Sequence, residues 1–88
     1  PYKLVISYDG TNYHGWQEQS GQVTVSAVLQ DTFKRLFDQE IKVLGASRTD
    51  AGVHALGQVA RFYTTRVMTP AIMKRTWNAA LPSDIHIR

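Results

Sequence analysis

The sequence of 88 residues has no cysteine and no long hydrophobic run. The absence of cysteine excludes a disulfide framework, a thiolate nucleophile and a cysteine-based metal site. No apolar stretch approaches the roughly 20 residues of a membrane-spanning helix, and the chain does not start with a charged-then-apolar leader. The sequence therefore predicts a cytoplasmic protein without a membrane partner.

Several common catalytic motifs are also missing. The chain has neither a phosphate-binding Gly-x-x-x-x-Gly-Lys loop nor a dinucleotide-binding fingerprint. His14, His54 and His86 lack metal-ligand spacing, so no metal is expected. The serines lack the surroundings of a nucleophile elbow, and nothing places Asp9 and Asp50 as the paired carboxylates of a retaining glycosidase.

Charged residues are few and the net charge is slightly positive, with ten Lys and Arg residues against seven Asp and Glu residues. An excess of three charges favours a polyanionic partner only weakly. Six of the cations fall in the second half of the chain: Arg48, Arg61, Arg66, Lys74, Arg75 and Arg88. Charge alone leaves open whether they form a phosphate-contacting surface or an ordinary solvated face.

The hydrophobic pattern changes period along the chain in an order typical of one small α+β domain. Alternating residues predict a strand over 2–9, and a glycine-containing loop follows. Helical spacing from 25 to 37 comes next, then strands over 41–46 and 55–64, a helix over 70–81 and a strand over 84–88. This order predicts a ferredoxin-like βαββαβ fold, a four-stranded antiparallel sheet with two helices on one face.

Both predicted helices carry start signals. Thr24 is a candidate N-cap for the first helix, and Thr69 precedes Pro70 at the start of the second. Pro82 is expected to end the second helix. The apolar stripe of that helix is predicted to contain Ile72, Met73, Thr76, Trp77, Ala80 and Leu81.

The segment "GASRTDAGVHALGQ", residues 45–58, contains the candidate site. Asp50 and the following Ala-Gly suit a simple Asx turn between two strands. An active site is the other interpretation, because an arginine at position 48 would hold the carboxylate ionised and oriented. His54 and Gln58 add polar groups that a plain hairpin does not need.

The loop upstream of the first helix is rich in aromatic residues. If the first strand runs as predicted, Tyr8, Tyr13 and Trp16 lie at the same end of the sheet as Asp50. Aromatic side chains next to arginines suit nucleobase stacking. Aromatics at the base of a loop are also common packing residues, and the pattern does not decide between these roles.

Three motifs together resemble the N-terminal half of the TruA-type tRNA pseudouridine synthase family. They are "YDGTNYHGWQ" at 8–17, "SRTDAGVHALGQV" at 47–59 and "NAALPSDIHIR" at 78–88. The resemblance implies an RNA-modifying isomerase that converts uridines of the tRNA anticodon arm to pseudouridine. It also implies that the family's second half has no counterpart in these 88 residues, which form a single domain, and that the full-length protein is a homodimer.

The resemblance assigns roles to residues of the middle motif. Asp50 matches the catalytic aspartate and Arg48 matches the arginine that pairs with it and holds the flipped-out nucleotide. Thr49, His54 and Gln58 belong to the same motif and are predicted to contact the RNA. Isomerisation needs no cofactor or metal. A ferredoxin-like RNA-binding module without catalysis is the alternative function, and a purely structural α+β domain is a third.

Overall fold

The computed structural model describes residues 1–17, 19–46 and 54–88. Four strands, β1 (Tyr2–Tyr8), β2 (Leu44–Gly45), β3 (Ala55–Phe62) and β4 (Ile85–Ile87), form one sheet in the order β2-β3-β1-β4. Each neighbouring pair is antiparallel. With the two helices, α1 (Val25–Phe37) and α2 (Pro70–Ala80), this arrangement confirms the ferredoxin-like α+β fold.

Strand β1 occupies the middle of the sheet and sets its two faces. Leu4, Ile6 and Tyr8 are buried on the side that the helices cover, whereas the residues between them are more exposed. Opposite β1, Ile6 is aligned with Gln58 and Tyr8 with Ala55, with a register shift between these pairs. The burial of alternate residues along β1 confirms the predicted alternation.

Helix α1 begins as its sequence predicts. The Thr24 hydroxyl accepts a hydrogen bond from Ala27 N at 3.4 Å, so it caps the first turn. Asp38 ends the helix in the left-handed conformation, with φ of 55°. Val25, Leu29 and Phe33 are fully buried, which places the apolar stripe against the sheet.

Strand β2 is shorter than the predicted 41–46. The Val43 N–H donates to Gln30 Oε1 of α1 at 2.9 Å instead of to a neighbouring strand. Ile41 and Val43 are nevertheless buried in the core. The apolar residues before β2 therefore serve packing and a helix contact, and of residues 41–46 Leu44 and Gly45 form the strand.

Helix α2 has the predicted Thr69 cap, which accepts from Ile72 N at 3.3 Å, and Pro70 at its first position. The predicted stripe is partly wrong. Met73, Trp77 and Leu81 are buried at intervals of four residues, but Ile72 is 48% exposed. One residue step turns the helix by about 100°, so Ile72 lies off the face that Met73 presents to the core.

Three aromatic rings join α1, β3 and α2 at the centre of the core. The ring centroids of Phe33 and Trp77 are 5.1 Å apart, those of Phe62 and Trp77 5.4 Å, and those of Phe33 and Phe62 5.5 Å. All three pairs meet edge to face, a favourable arrangement of ring quadrupoles. This aromatic cluster holds both helices on the sheet.

Within the described part of the chain, no helix is both long and apolar enough to cross a membrane.

Candidate active site

Three strands meet at one end of the sheet, where β1 finishes and β3 and β4 begin. Tyr8 is aligned with Ala55 on one side and with Ile85 on the other. The residues next to these ends, Asp9, His54 and Asp84, are thereby brought together. Asp9 N donates to Asp84 O at 2.9 Å, which fixes the loop after β1 to the segment before β4.

Asp9 organises the start of that loop. Its Oδ1 accepts from Thr11 Oγ1 at 2.6 Å and from Thr11 N at 3.0 Å, and it caps a short 3-10 helix at Gly10–Asn12. The side-chain bond from Thr11, followed by the backbone bond, lowers the pKa of the Asp9 carboxyl below its ordinary value. Asp9 is therefore a fixed negative charge at neutral pH.

His54 bonds to the same loop from the other side. Its Nδ1 lies 2.8 Å from Gly10 N and 3.1 Å from Asp9 Oδ1. The two contacts require opposite protonation states, since Nδ1 must be bare to accept from Gly10 but protonated to donate to Asp9. We favour the first, because Gly10 is buried and its N–H would otherwise lose its acceptor, whereas the His54 and Asp9 side chains are each 61% exposed. His54 is then a neutral imidazole with its proton on Nε2.

The aromatic residues of the loop pack in the core. Tyr8, Tyr13 and Trp16 are at most 7% exposed, and the rings of Tyr8 and Trp16 stack with centroids 6.1 Å apart. The Tyr13 hydroxyl donates to Asp84 Oδ1 at 2.6 Å. Burial and this bond raise the pKa of Tyr13. Of the two roles that the sequence left open, packing is the one that the structure supports.

An open cavity of about 450 Å³ lies at this end of the sheet. Its lining includes Ser7, His54, Leu56, Ser83, Asp84 and His86. Leu56 is 83% exposed there. The cavity therefore combines an exposed apolar surface with carboxylate, imidazole and hydroxyl groups, a combination suited to a polar organic ligand. In the described ranges, no three His, Asp or Glu side chains are close enough together to share a metal ion.

Comparison with known proteins identifies the family to which these motifs belong. A family model described as tRNA pseudouridine synthase matches residues 4–88. This chain belongs to that family. It is 51% identical over 85 residues to the tRNA pseudouridine synthase A of Thermodesulfovibrio yellowstonii, an alignment that covers 97% of this chain and 34% of that protein.

Other tRNA pseudouridine synthases align over a similar share of their length. The enzyme named tRNA pseudouridine synthase A from Acetivibrio thermocellus is 48% identical over 86 residues, which are 98% of this chain and 35% of the relative. The one from Onion yellows phytoplasma is 44% identical over 99% of this chain and 36% of the relative. The chain thus spans about a third of the length of the curated relatives that it matches.

The residues predicted for the site fall in two groups, those outside the described part of the chain and those within it. Arg48, Thr49 and Asp50 lie outside the described residues. His54 is exposed at the sheet end. Gln58 is only 5% exposed and shares the helix-covered face with Ile6, and its Nε2 lies 3.5 Å from Val59 O.

Sequence reasoning missed the structural roles of Gly10 and Asp84. Asp84 accepts a hydrogen bond from a tyrosine 71 positions earlier, and Gly10 donates to a histidine 44 positions later. Nothing in one sequence marks such distant pairs. The only available signal was their position at the predicted ends of strands.

The hydrogen bonds to Asp9 predict its titration. Thr11→Val should raise the pKa of Asp9 towards its ordinary value, because the hydroxyl donor is lost, but only in part, because the backbone donor remains. The lowered pKa means that Asp9 stabilises the fold above the pKa of the unfolded chain, and that this contribution disappears as the pH falls through the folded-state pKa. A carboxyl carbon NMR titration measures the shift. Thr11→Ser is the control and should leave the pKa unchanged; an equal pKa in Thr11→Val would contradict the assignment.

Proposed function

We propose that this chain is the catalytic-aspartate part of a tRNA pseudouridine synthase that isomerises uridines in the anticodon arm. The observation that supports this proposal most strongly is the family match over residues 4–88, which includes the whole Arg-Thr-Asp-Ala-Gly-Val-His motif. The described residues at either end of the motif support the proposal, because β2 precedes the motif in the chain and its last residue, His54, borders the cavity at the sheet end.

The proposed reaction breaks the N1–C1′ bond of uridine and forms a C5–C1′ bond. The hydrogen on C5 passes to solvent as a proton and N1 gains one, so the product is an isomer of the substrate. We assign Asp50 as the nucleophile, which attacks either the sugar or the uracil ring, and Arg48 as its ionic partner and a contact to the nucleotide. The target base must leave its stack before a side chain can reach it.

His54 borders the cavity as a neutral donor, since Nε2 carries the proton when Nδ1 accepts from Gly10. We propose that it contacts RNA oxygen atoms. Thr49 and Gln58 complete the proposed RNA-contacting set. Of these two, the structure describes Gln58, whose side chain is buried.

For the whole protein we propose a cytoplasmic homodimer with the tRNA anticodon arm as its substrate. This part of the proposal rests on the resemblance of the sequence to the family. The outer strands β2 and β4 support association of some kind, because each leaves an unpaired backbone edge within the described sheet.

Tritium release tests the proposed function. The protein is incubated with tRNA carrying tritium at uridine C5, and the label that enters water is counted. Release is expected because the new bond forms at C5 and displaces its hydrogen. If the chain binds this tRNA but releases no tritium above a protein-free control, these 88 residues bind RNA without catalysing the reaction on their own, and catalysis by the chain alone is rejected while the family membership stands.

A further inference from the structure

The sheet face that the helices leave uncovered carries cations and apolar residues. We call this the open face and define it by Lys3, Val5, Leu44, Val59 and Arg61. Lys3, Val5, Val59 and Arg61 alternate along their strands with buried residues, and Leu44 of β2 is aligned with Arg61. Leu44 is 51% exposed and Val59 38% exposed, and Lys3 and Arg61 are also exposed.

Two of these cations lie side by side. Lys3 of β1 is aligned directly with Arg61 of β3, and Arg61 is aligned on its other side with Leu44. Like charges at directly opposite positions of an antiparallel pair destabilise the sheet. Over residues 1–17, 19–46 and 54–88, no carboxylate lies within ion-pair distance of either cation. We call Lys3 and Arg61 the cation pair.

Acidic residues are placed away from the cation pair. Asp9 and Asp84 lie at the far end of β1, and the five-residue separation of Lys3 from Tyr8 corresponds to about 17 Å of strand. The remaining described acids are Asp31 on α1 and two in the turn after that helix. The positive charge on the open face is therefore not neutralised by the described part of the chain.

Arg88 extends the positive charge towards the candidate active site. Its backbone N donates to Val5 O at 2.8 Å on the β4 side of β1, while its Nη1 donates to Leu56 O at 2.8 Å at the start of β3. The guanidinium therefore reaches across β1. Leu56 also lines the cavity at the sheet end, so the Arg88 guanidinium is bonded to a residue of the cavity wall.

We propose that the cation pair of Lys3 and Arg61 binds a backbone phosphate of the RNA a few nucleotides from the base that reaches the cavity. An open depression of about 530 Å³ lies beside the pair and is also lined by Leu44 and Val59, an apolar surface for a ribose. A guanidinium and an ammonium suit phosphate oxygens, and a phosphate between them removes the repulsion of the free pair. The inference rests on the proposed function only in that RNA is the ligand; phosphate contacts fix the register of a nucleic acid without reading its sequence.

The salt dependence of tRNA binding tests the cation pair. The double variant Lys3→Gln/Arg61→Gln is compared with Arg35→Gln/Arg75→Gln, which removes the same charge from exposed positions on α1 and α2. The slope of log affinity against log salt concentration should become shallower by about 0.7 to 0.9 in the first variant, the value for one lost phosphate contact. The control should change it by less than half as much. The urea midpoint of the first variant should not fall, because its two side chains are exposed and repel each other.

The outcomes separate this inference from the proposed catalysis. Equal slopes in the two double variants would overturn the phosphate site, and reduced self-association without a slope change would point to a protein contact instead. In tritium release, the cation-pair variant should raise KM for tRNA and leave kcat unchanged. A shallower slope in a chain that releases no tritium would support the phosphate site and reject catalysis by these residues on their own. Full release with an unchanged slope would support the catalysis and reject the phosphate site.

Discussion

Asp50→Ala should reduce tritium release from uridine-labelled tRNA by roughly 10⁴-fold or more, and leave tRNA affinity nearly unchanged. The proposed reaction needs a nucleophile to separate the base from the sugar, and alanine offers none. Affinity should persist because phosphate contacts supply most of the binding free energy of nucleic-acid complexes, and Asp50 repels phosphate. Release is measured under single-turnover conditions, and affinity by filter binding at the same salt concentration.

A second aspartate provides the matched control. Asp31→Ala removes an exposed carboxylate from α1 and should leave both tritium release and affinity unchanged. If Asp50 served only as a turn former, Asp50→Ala would lower stability and binding together, by about 1 kcal/mol, with a similar modest loss of release. Substantial release from Asp50→Ala would reject the nucleophile assignment.

The fold was predictable because its signals are local. Alternation in β1 and the Thr24 and Thr69 caps depend on neighbouring residues, and each is confirmed. The errors arose where a distant contact decides the outcome. Gln30 takes the Val43 N–H from a predicted strand, and packing against the sheet selects Met73 over Ile72 on α2.

The motif predicted the family, but the sequence did not predict the contacts at the end of the sheet. The string from Arg48 to His54 is specific enough to indicate the family. The bond from Gly10 to His54 joins residues 44 positions apart, and it exists because β1 ends where β3 begins. Such a contact follows from strand register, which the sequence alone did not provide. The protonation state of His54 depends on that same contact.

Trp77→Ala should destabilise the chain by about 3 to 5 kcal/mol. Trp77 is completely buried and contacts Phe33 of α1 and Phe62 of β3 edge to face, so its removal opens a cavity where three elements meet. A domain of this size has a free energy of unfolding of about 4 to 13 kcal/mol, so the loss is a large part of the total. Urea unfolding followed by far-UV circular dichroism measures it.

Two further variants isolate the cause of this loss. The Trp77 indole N–H is buried and has no hydrogen-bond partner among the described residues. Trp77→Phe keeps a ring in the aromatic cluster and removes that unsatisfied donor, so it should cost less than half as much as Trp77→Ala. Ile72→Ala on the same helix removes a half-exposed side chain and should change stability by less than about 0.5 kcal/mol. If Trp77→Ala and Ile72→Ala had equal effects on stability, the aromatic cluster would not be what holds α2 on the sheet. If Trp77→Phe cost as much stability as Trp77→Ala, the stabilisation would depend on the shape of the indole and not on ring contact.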